Sequence, residues 1–231
     1  MRPDFSRRDV DVVERMDDPD CDLDRLERTY AQFRLVNTVI SRWRRIYRQQ
    51  IRPLLPRDRA ATLLDLGSGG GDIARALARW AARDGLALEV TAADPDPRAY
   101  AFASALAPVP RVEFRLTSSA DLVAAGERFD MVVSNHLLHH LDEPSLAAVL
   151  ADSAQLAYRL VVHSDLERSR VAYLAFGVAS RALGRRSFIR EDGLLSLRRS
   201  YRAAELAAAA QEPWRVERQF PARLLLLHRV S

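Results

Sequence analysis

The sequence predicts a doubly wound, mostly parallel α/β sheet of seven strands, with helices on both faces and a β-hairpin at its C-terminal edge. Short apolar runs alternate with helix-like segments between residues 62 and 163. These runs are continuously apolar, which is typical of strands covered by helices on both faces. A glycine-rich turn follows the first run, where such folds turn a strand into a helix beside a ligand.

Five parallel strands and the helices between them form the predicted core, residues 60–165. The strands are expected at residues 62–66, 88–93, 112–116, 131–134 and 159–163, and the helices at 72–83, 98–107 and 143–157. Only a short polar stretch follows the third strand. A helix at 203–210 then precedes two strand-like runs, 214–220 and 223–229, which we expect to pair as a hairpin within the C-terminal segment 201–231.

Two further segments decorate this core. Residues 1–22 are polar and charged, and they predict a flexible leader that ends near Asp22. Apolar residues then recur every three or four positions, which predicts an N-terminal helical cap over residues 23–56. Residues 166–200 interrupt the alternation of strand and helix, and we expect them to form a lid. Residues 23–231 together are predicted to be a single domain.

The composition is that of a soluble globular protein. Of the 231 residues, 48% are hydrophobic and 29% are charged. The longest apolar runs fall well short of the ~18 residues that span a bilayer. The amino terminus lacks a secretory signal, and the single cysteine, Cys21, excludes an internal disulfide. A cytoplasmic location is therefore expected.

The charges are unevenly distributed. All 35 basic residues are arginine, so we attribute the sequence pI of 9.7 to codon bias rather than to nucleic-acid binding. Residues 60–158 contain 7 arginines and 13 acidic residues, whereas residues 159–202 contain 10 arginines and 4 acidic residues. The basic segment is either a solvated face or a contact for an anionic substrate, a partner or a membrane surface.

The glycine-rich turn favours a cofactor that carries a positive charge. An acidic-x-Gly-x-Gly-x-Gly spacing is complete at Asp65, Gly67, Gly69 and Gly71, whereas the third glycine of a dinucleotide fingerprint would fall on Asp72. An acid at this turn would repel a pyrophosphate, but it would attract the ammonium group of a methionine moiety.

With these motifs in order over residues 60–165, the sequence resembles the Rossmann-like class I S-adenosylmethionine-dependent methyltransferases. The resemblance implies that S-adenosyl-L-methionine is the cofactor and that Asp65 and the glycine loop receive its amino-acid end. It also implies that Asp94 binds both ribose hydroxyls and that Pro95 borders the adenine. The implied cofactor contacts are Asp65, Gly67, Ser68, Gly69, Gly71, Asp94, Pro95, Ser118, Ser119 and Asn135.

Two places in the core leave alternatives open. Ser118 and Ser119 stand where this family usually has an acidic or amide side chain for the adenine. Asp121 either supplies the missing acceptor or begins a helix. His163 and Asp165, at the end of the fifth strand, reach the ligand-binding edge, although a strand end followed by a helix N-cap also accounts for them.

Histidines 136, 139 and 140 raise the question of a metal site, because residues three or four apart share a helical face. No metal is predicted, since no further Cys or His lies nearby in the sequence. The metal-dependent members of the family use carboxylates where this chain has Ser134 and Asn135. His139 and His140 are assigned a structural or cofactor-side role. If the acceptor is a phenol or an acidic enol, His136 is the candidate to take its proton.

The acceptor is expected to be a small molecule. The segment after the fourth strand lacks the Asn/Asp-Pro-Pro-aromatic motif of enzymes that methylate nucleobase or protein amide nitrogens, so no nucleic-acid partner is expected. The sequence resembles the quinone-biosynthesis and small-molecule branch, including enzymes of secondary metabolism that methylate polyketide-like phenols and pyrones. We expect a hydrophobic acceptor of phenol, quinone or pyrone type, methylated on oxygen or carbon. The predicted substrate pocket comprises Tyr30, Phe33, His136, His139, Tyr173 and Phe176.

Two other functions remain open at this point. One is a non-catalytic S-adenosylmethionine-binding protein that engages a partner through residues 159–202. The other is a nicotinamide-dependent oxidoreductase. The protein is expected to act as a monomer or homodimer, and its basic segment allows peripheral contact with a membrane.

Overall fold

The computed structural model describes residues 3–37, 41–182 and 186–230. The strands in these residues are β1 (Ala61–Leu66), β2 (Leu88–Asp94), β3 (Val112–Leu116), β4 (Phe129–Asn135), β5 (Ala157–Leu166), β6 (Arg215–Gln219) and β7 (Arg223–Arg229). They form one sheet in the order β3-β2-β1-β4-β5-β7-β6. Strands β1 to β5 are parallel, whereas β7 is antiparallel to both β5 and β6. The predicted fold class, including the C-terminal hairpin, is confirmed.

Helices connect the strands and cover both faces of the sheet. They are α1 (Leu23–Val36), α2 (Trp43–Ile46), α3 (Asp72–Arg83), α4 (Pro97–Ala105), α5 (Ser119–Ala124), α6 (Glu143–Leu156), α7 (Arg170–Ala179), α8 (Ile189–Arg199) and α9 (Ala203–Ala210). Positions 38–40 of the predicted helical cap and 183–185 of the predicted lid lie outside the described residues. Among the helices that the structure describes, none is both long and apolar enough to cross a membrane.

The helix starts follow local capping chemistry. Asp96 accepts a hydrogen bond from the backbone N–H of Arg98 at the start of α4, and Asp142 does the same for Ser145 at the start of α6. Helix α5 was expected only as one of the two alternatives for Asp121, because its polar first turn resembles a loop. Its short length leaves no periodic apolar pattern to detect.

The core consists of two apolar layers, one on each face of the sheet. Successive residues of a strand point to opposite faces, so Leu63 belongs to one buried cluster and Leu64 to the other. The first cluster includes residues of α2 and α3, and the second includes residues of α5 and α6. Burial of each leucine contributes about 2 kcal/mol. The two layers fix the strand ends, where the ligand-binding edge lies.

The prediction of a flexible leader over residues 1–22 is wrong for the part that the structure describes. The backbone N–H of Asp9 donates to the carbonyl oxygen of Arg198 at 3.2 Å. The carboxylate of Asp192 accepts from the N–H of Arg15 at 2.7 Å. Glu14 is only 2% exposed. The polar residues of this segment are bonded to α8 and to the turn after β4, so their polarity does not indicate exposure to solvent.

Helices α7 and α8 form the segment predicted as a lid, and α1 packs beside them. The backbone N–H of Phe188 donates to the hydroxyl of Thr29 on α1 at 2.9 Å. Gly193 allows α7 and α8 to approach closely, because a Cβ at this position would lie 2.4 Å from the ring of Phe176. These three helices form the wall opposite the strand ends.

Candidate active site

A cavity of about 570 Å³ lies at the carboxyl ends of β1, β2 and β4. These ends are adjacent because β1 lies between β2 and β4 in the sheet. The chain crosses from β1 to β2 on one side and from β3 to β4 on the other, which is the switch point where doubly wound sheets bind ligands. Helices α1, α7 and α8 line the opposite side of the cavity.

The glycine turn forms one wall of this cavity. Gly67 and Gly69 line it, and their φ angles of 62° and 52° lie in the left-handed region that favours glycine. Gly71 was predicted to contact the cofactor, but it does not line the cavity. It immediately precedes α3, and a Cβ here would lie 2.3 Å from the ring of Phe114. The predicted contact Ser68 does line the cavity.

Asp65 lines the cavity as a buried carboxylate with an unpaired oxygen. Its side chain is 1% exposed, and Oδ2 has no hydrogen-bond partner among the described residues. Burial, reinforced by the nearby Asp72, raises the pKa of Asp65 well above its ordinary value. An unpaired buried carboxylate is unfavourable, so this position fits a ligand that brings a positively charged hydrogen-bond donor.

Asp94 is positioned by the backbone at the end of β2. Its Oδ2 accepts from the N–H of Gly69 at 2.7 Å, and its Oδ1 accepts from the N–H of Asp96 at 2.9 Å. Burial raises the pKa of Asp94. Each oxygen keeps a further lone pair for a ligand, which suits a vicinal diol. Pro95 and the unpredicted Asp96 also line the cavity.

The predicted adenine contacts Ser118 and Ser119 do not line the cavity. Ser118 and Asp121 form a capping box at the start of α5. The hydroxyl of Ser119 donates to Asp152 on α6 at 2.6 Å. Both serines are occupied by helix-start and helix–helix contacts, and Asp121, in the first turn of α5, does not line the cavity either.

His136 lines the cavity, but its bonding opposes the predicted role as proton acceptor. The guanidinium of Arg223 donates to His136 Nε2 at 2.8 Å and to Asn135 Oδ1 at 2.6 Å. Burial and the charge of Arg223 lower the pKa of His136 well below its ordinary value. The accepting nitrogen is already occupied, so the other nitrogen, Nδ1, carries the proton. His136 is therefore a donor, and Asn135 beside it also lines the cavity.

His139 lies buried between two carboxylates. Its Nδ1 is 2.7 Å from Asp165 Oδ1, and its backbone N–H donates to Asp165 Oδ2 at 2.9 Å. Its Nε2 is 3.3 Å from Glu14 Oε1. Although burial opposes its charge, Asp165 and Glu14 raise the pKa of His139 to about 9. Asp165 is thus a partner of this histidine, and the N-cap of α7 is Ser169.

Comparison with known proteins agrees with this geometry. Residues 63–158 match the family described as a methyltransferase domain. The core of this chain, from β1 to the start of β5, is thus similar to a methyltransferase domain. Within curated sequences, the ubiquinone biosynthesis O-methyltransferase of Methylobacterium sp. (strain 4-46) is 42% identical over 93 residues, which are 38% of this chain and 34% of that protein. The match thus spans about a third of that relative's length.

Solved structures share the fold at low identity. Human N-acetylserotonin methyltransferase in complex with S-adenosylmethionine has a TM-score of 0.62 at 13% identity, covering 89% of this chain and 56% of that chain. Magnesium protoporphyrin IX methyltransferase from Synechocystis PCC 6803, with bound S-adenosylhomocysteine, has a TM-score of 0.55 at 16% identity, covering 89% and 86% of the two chains. At these identities the likeness shows the fold alone.

The side of the cavity opposite the glycine turn carries apolar side chains from α1, α7 and α8. Of the aromatic residues predicted for the substrate pocket, Tyr30, Phe33 and Phe176 line the cavity. Tyr173 does not, since its ring packs edge-on against Phe5 with the ring centres 5.2 Å apart. It lies on the outer side of α7, where the N-terminal segment covers it.

Five acidic residues that line the cavity were not predicted as site residues. They are Glu14, Asp17, Asp72, Asp96 and Asp192. Glu14 and Asp17 lie in the segment expected to be a mobile leader, and Asp192 lies in the middle of an amphipathic helix. No local pattern marks Glu14, Asp17 and Asp192, because their positions at the cavity depend on contacts between segments distant in the sequence. Asp96 lies two residues after Asp94 and caps α4. Asp72, in contrast, directly follows the glycine turn and was identifiable from that position.

Proposed function

We propose that this chain is an enzyme that transfers a methyl group from S-adenosylmethionine to a hydrophobic small-molecule acceptor of phenol, quinone or pyrone type, on oxygen or carbon. The observation that carries the proposal is the cavity itself. One end has an unpaired, fully buried carboxylate at Asp65, and the other has an apolar wall from α1, α7 and α8. One cavity can thus bind a cation at the end with Asp65 and an apolar group at the end formed by α1, α7 and α8.

Two acidic residues suit the two polar ends of this cofactor. The buried Oδ2 of Asp65 is available to an ammonium group, and Asp94 offers two backbone-anchored oxygens to a ribose diol. Bound S-adenosylmethionine supplies a methyl group on a sulfonium, which is already an activated leaving group. The main task of the residues is to hold the acceptor in line and to exclude water. Gly67 and Gly69 leave room for close approach of the ligand to the backbone.

The acceptor end combines apolar surface with a small number of polar groups. Tyr30, Phe33 and Phe176 favour a hydrophobic acceptor, because they remove its apolar surface from water. His136 and His139 are the polar groups that orient it, and His136 presents a proton donor rather than an acceptor. The similarity to ubiquinone biosynthesis O-methyltransferases over part of the chain supports a quinone-like or phenolic acceptor.

Calorimetric titration with S-adenosylhomocysteine and with NADH tests the cofactor. We expect binding of the first compound and none of the second; the reverse would indicate an oxidoreductase. Incubation with cofactor labelled on its methyl group, an alkylated phenol, a hydroxyquinone and a pyrone, followed by mass spectrometry, tests the acceptor. We expect a labelled methyl group on at least one compound. Cofactor binding without transfer to any of these or to cell extract would indicate a non-catalytic binding protein.

A further inference from the structure

The imidazoles of His139 and His140, on the acceptor side of the cavity, are each held between two carboxylates. The Nδ1 atom of His139 is 2.7 Å from a carboxylate oxygen of Asp165, and that of His140 is 3.0 Å from one of Asp17. The Nε2 atoms of both rings then approach the same carboxylate, that of Glu14. Histidines whose Nδ1 is held by a carboxylate and whose Nε2 is left available are typical metal ligands.

The distances in this cluster match those between the ligands of one ion. Glu14 Oε1 lies 3.3 Å from His139 Nε2, and Glu14 Oε2 lies 3.8 Å from His140 Nε2. The ligand atoms of all three residues lie within 4.8 Å of one another. A tetrahedral ion with bonds of about 2.0 Å separates its ligand atoms by about 3.3 Å. The three side chains therefore need only small movements to coordinate a common ion.

The unmet bonding of His139 independently indicates a ligand. His139 is 1% exposed, and its Nε2 has no hydrogen-bond partner among the described residues, because the contact with Glu14 lacks hydrogen-bond geometry. Glu14 is 2% exposed, although it lies in a polar segment far from the histidines in the sequence. A buried ring nitrogen that faces a buried carboxylate needs a proton or an ion between them, and the absence of hydrogen-bond geometry leaves this position open to an ion.

A second grouping of possible ligands, His136, His139 and Asp165, also occurs in the described residues. It does not suit an ion. His139 Nδ1 and Asp165 Oδ1 bond each other directly at 2.7 Å, and the Nε2 of His136 accepts from Arg223. The candidate ligand atoms of this grouping therefore already bond one another or the guanidinium of Arg223. In the cluster with Glu14, the Nε2 atoms of His139 and His140 have no such competing bonds among the described residues. Glu14 Oε1 accepts from the hydroxyl of Ser196 at 2.8 Å and keeps a second lone pair.

The surrounding charges favour a cation at this cluster. The carboxylates of Asp17 and Asp165 lie behind the two imidazoles, and Glu14 lies in front of them. The guanidiniums of Arg8 and Arg199 also approach, but each donates to the backbone carbonyl oxygen of His139 at 3.3 Å rather than facing the ring nitrogens. When His139 is neutral, as a metal ligand must be, three carboxylates against two guanidiniums leave the cluster negative, and a bound cation balances that charge.

From these observations we infer that Glu14, His139 and His140 bind a divalent transition-metal ion. Two imidazoles and one carboxylate suit Zn²⁺, and three protein ligands leave a coordination position open. All three residues line the cavity, so the open position faces the acceptor. The oxygen of a phenol or enol is the acceptor group that fits there; this role rests on the proposed function, whereas the binding of the ion does not.

Binding of Co²⁺ to the full chain, purified without a histidine tag and treated with a chelator, tests this inference. We expect one Co²⁺ per chain, a visible absorption band from the bound ion and a higher Tm. Substitutions Glu14→Gln and His140→Asn should weaken binding at least about tenfold. Their matched controls are Glu27→Gln, at an exposed position of α1, and His228→Asn on β7, which should bind Co²⁺ as the wild type does.

S-adenosylhomocysteine binding and near-ultraviolet circular dichroism in the same samples show that each variant is folded. If either site variant fails to fold, the other decides, because the two substitutions affect different segments. Equal binding of Co²⁺ by a folded site variant and by the wild type would overturn the metal site. So would a wild type that binds S-adenosylhomocysteine but no Co²⁺, and that result would leave the proposed methyl transfer standing. A wild type that binds Co²⁺ but not S-adenosylhomocysteine would support the metal site and contradict the proposed cofactor.

Discussion

The two ends of the cavity are built in different ways. The end at the glycine turn comes from a short, contiguous motif after β1 and from the end of the adjacent β2. The other end combines the N-terminal segment, the histidine turn after β4, the end of β5 and helices α1, α7 and α8. The first end depends on local backbone geometry and one sheet register, and the second on contacts between distant segments. We therefore expect substitutions at the two ends to affect different steps.

The largest expected effect is at the end formed by the glycine turn. Asp94→Ala removes both the acceptor oxygens offered to a ribose diol and the anchors of the Gly69 and Asp96 amides. The affinity for S-adenosylhomocysteine should fall by more than about 100-fold, or about 3 kcal/mol. Calorimetry measures this, with Glu89→Ala at an exposed position of the same strand as the control. Unchanged affinity in Asp94→Ala would mean that the cofactor is held elsewhere.

A loss of stability at low pH is expected from His163, a buried residue of β5. Burial lowers its pKa to about 4, against 6.5 when exposed, and its Nδ1 lies 2.7 Å from Ser134 Oγ. Because the pKa of the folded state is the lower one, the unfolded state binds more protons as the pH falls from about 6.5 to 4. This group should cost on the order of 3 kcal/mol of stability by pH 4.

Urea unfolding of wild type and His163→Asn across this pH range measures the difference. The variant should lose less stability than the wild type as the pH falls, since it lacks the buried imidazole. Parallel pH profiles for the two proteins would show that protonation of His163 does not contribute.

A smaller effect, confined to the acceptor end, is expected from Gly193→Ala. The added Cβ would lie 2.4 Å from the ring of Phe176, which lines the cavity, so the ring has to move. Overpacking of this kind costs about 2 kcal/mol. The range of methylated acceptors should change while S-adenosylhomocysteine affinity stays the same. Thermal unfolding, calorimetry and the acceptor panel provide the three measurements. An equal loss of cofactor affinity would show that the two ends are coupled.

The smallest effect is expected from Ser118→Ala. The hydroxyl accepts from the backbone N–H of Asp121 at 3.2 Å and caps α5, so its loss should reduce the free energy of unfolding by about 1 kcal/mol. The affinity for S-adenosylhomocysteine should not change, because Ser118 does not line the cavity. A clear loss of affinity would restore the adenine contact that the sequence predicted.

The outcome of the site predictions follows the same division. Asp65, Gly67 and Asp94 all line the cavity, because strand ends and a glycine turn are set by short-range rules. The predicted site residues that do not line the cavity are those whose side chains have another partner, either close in the sequence or distant. Ser118 caps a helix too short to show periodicity, and Tyr173 packs against Phe5, from a segment expected to be mobile.

The sequence by itself determined the doubly wound sheet, the position of the ligand-binding edge and the acidic character of the glycine turn. Apolar periodicity and glycine spacing express these features directly. Only the tertiary structure decided the acceptor end. It buries Glu14 beside His139 and His140, and it places the guanidinium of Arg223 where it donates a hydrogen bond to the Nε2 of His136. Such pairings depend on which distant segments pack together, and a polar residue has the same local pattern whether it is solvated or buried beside a partner.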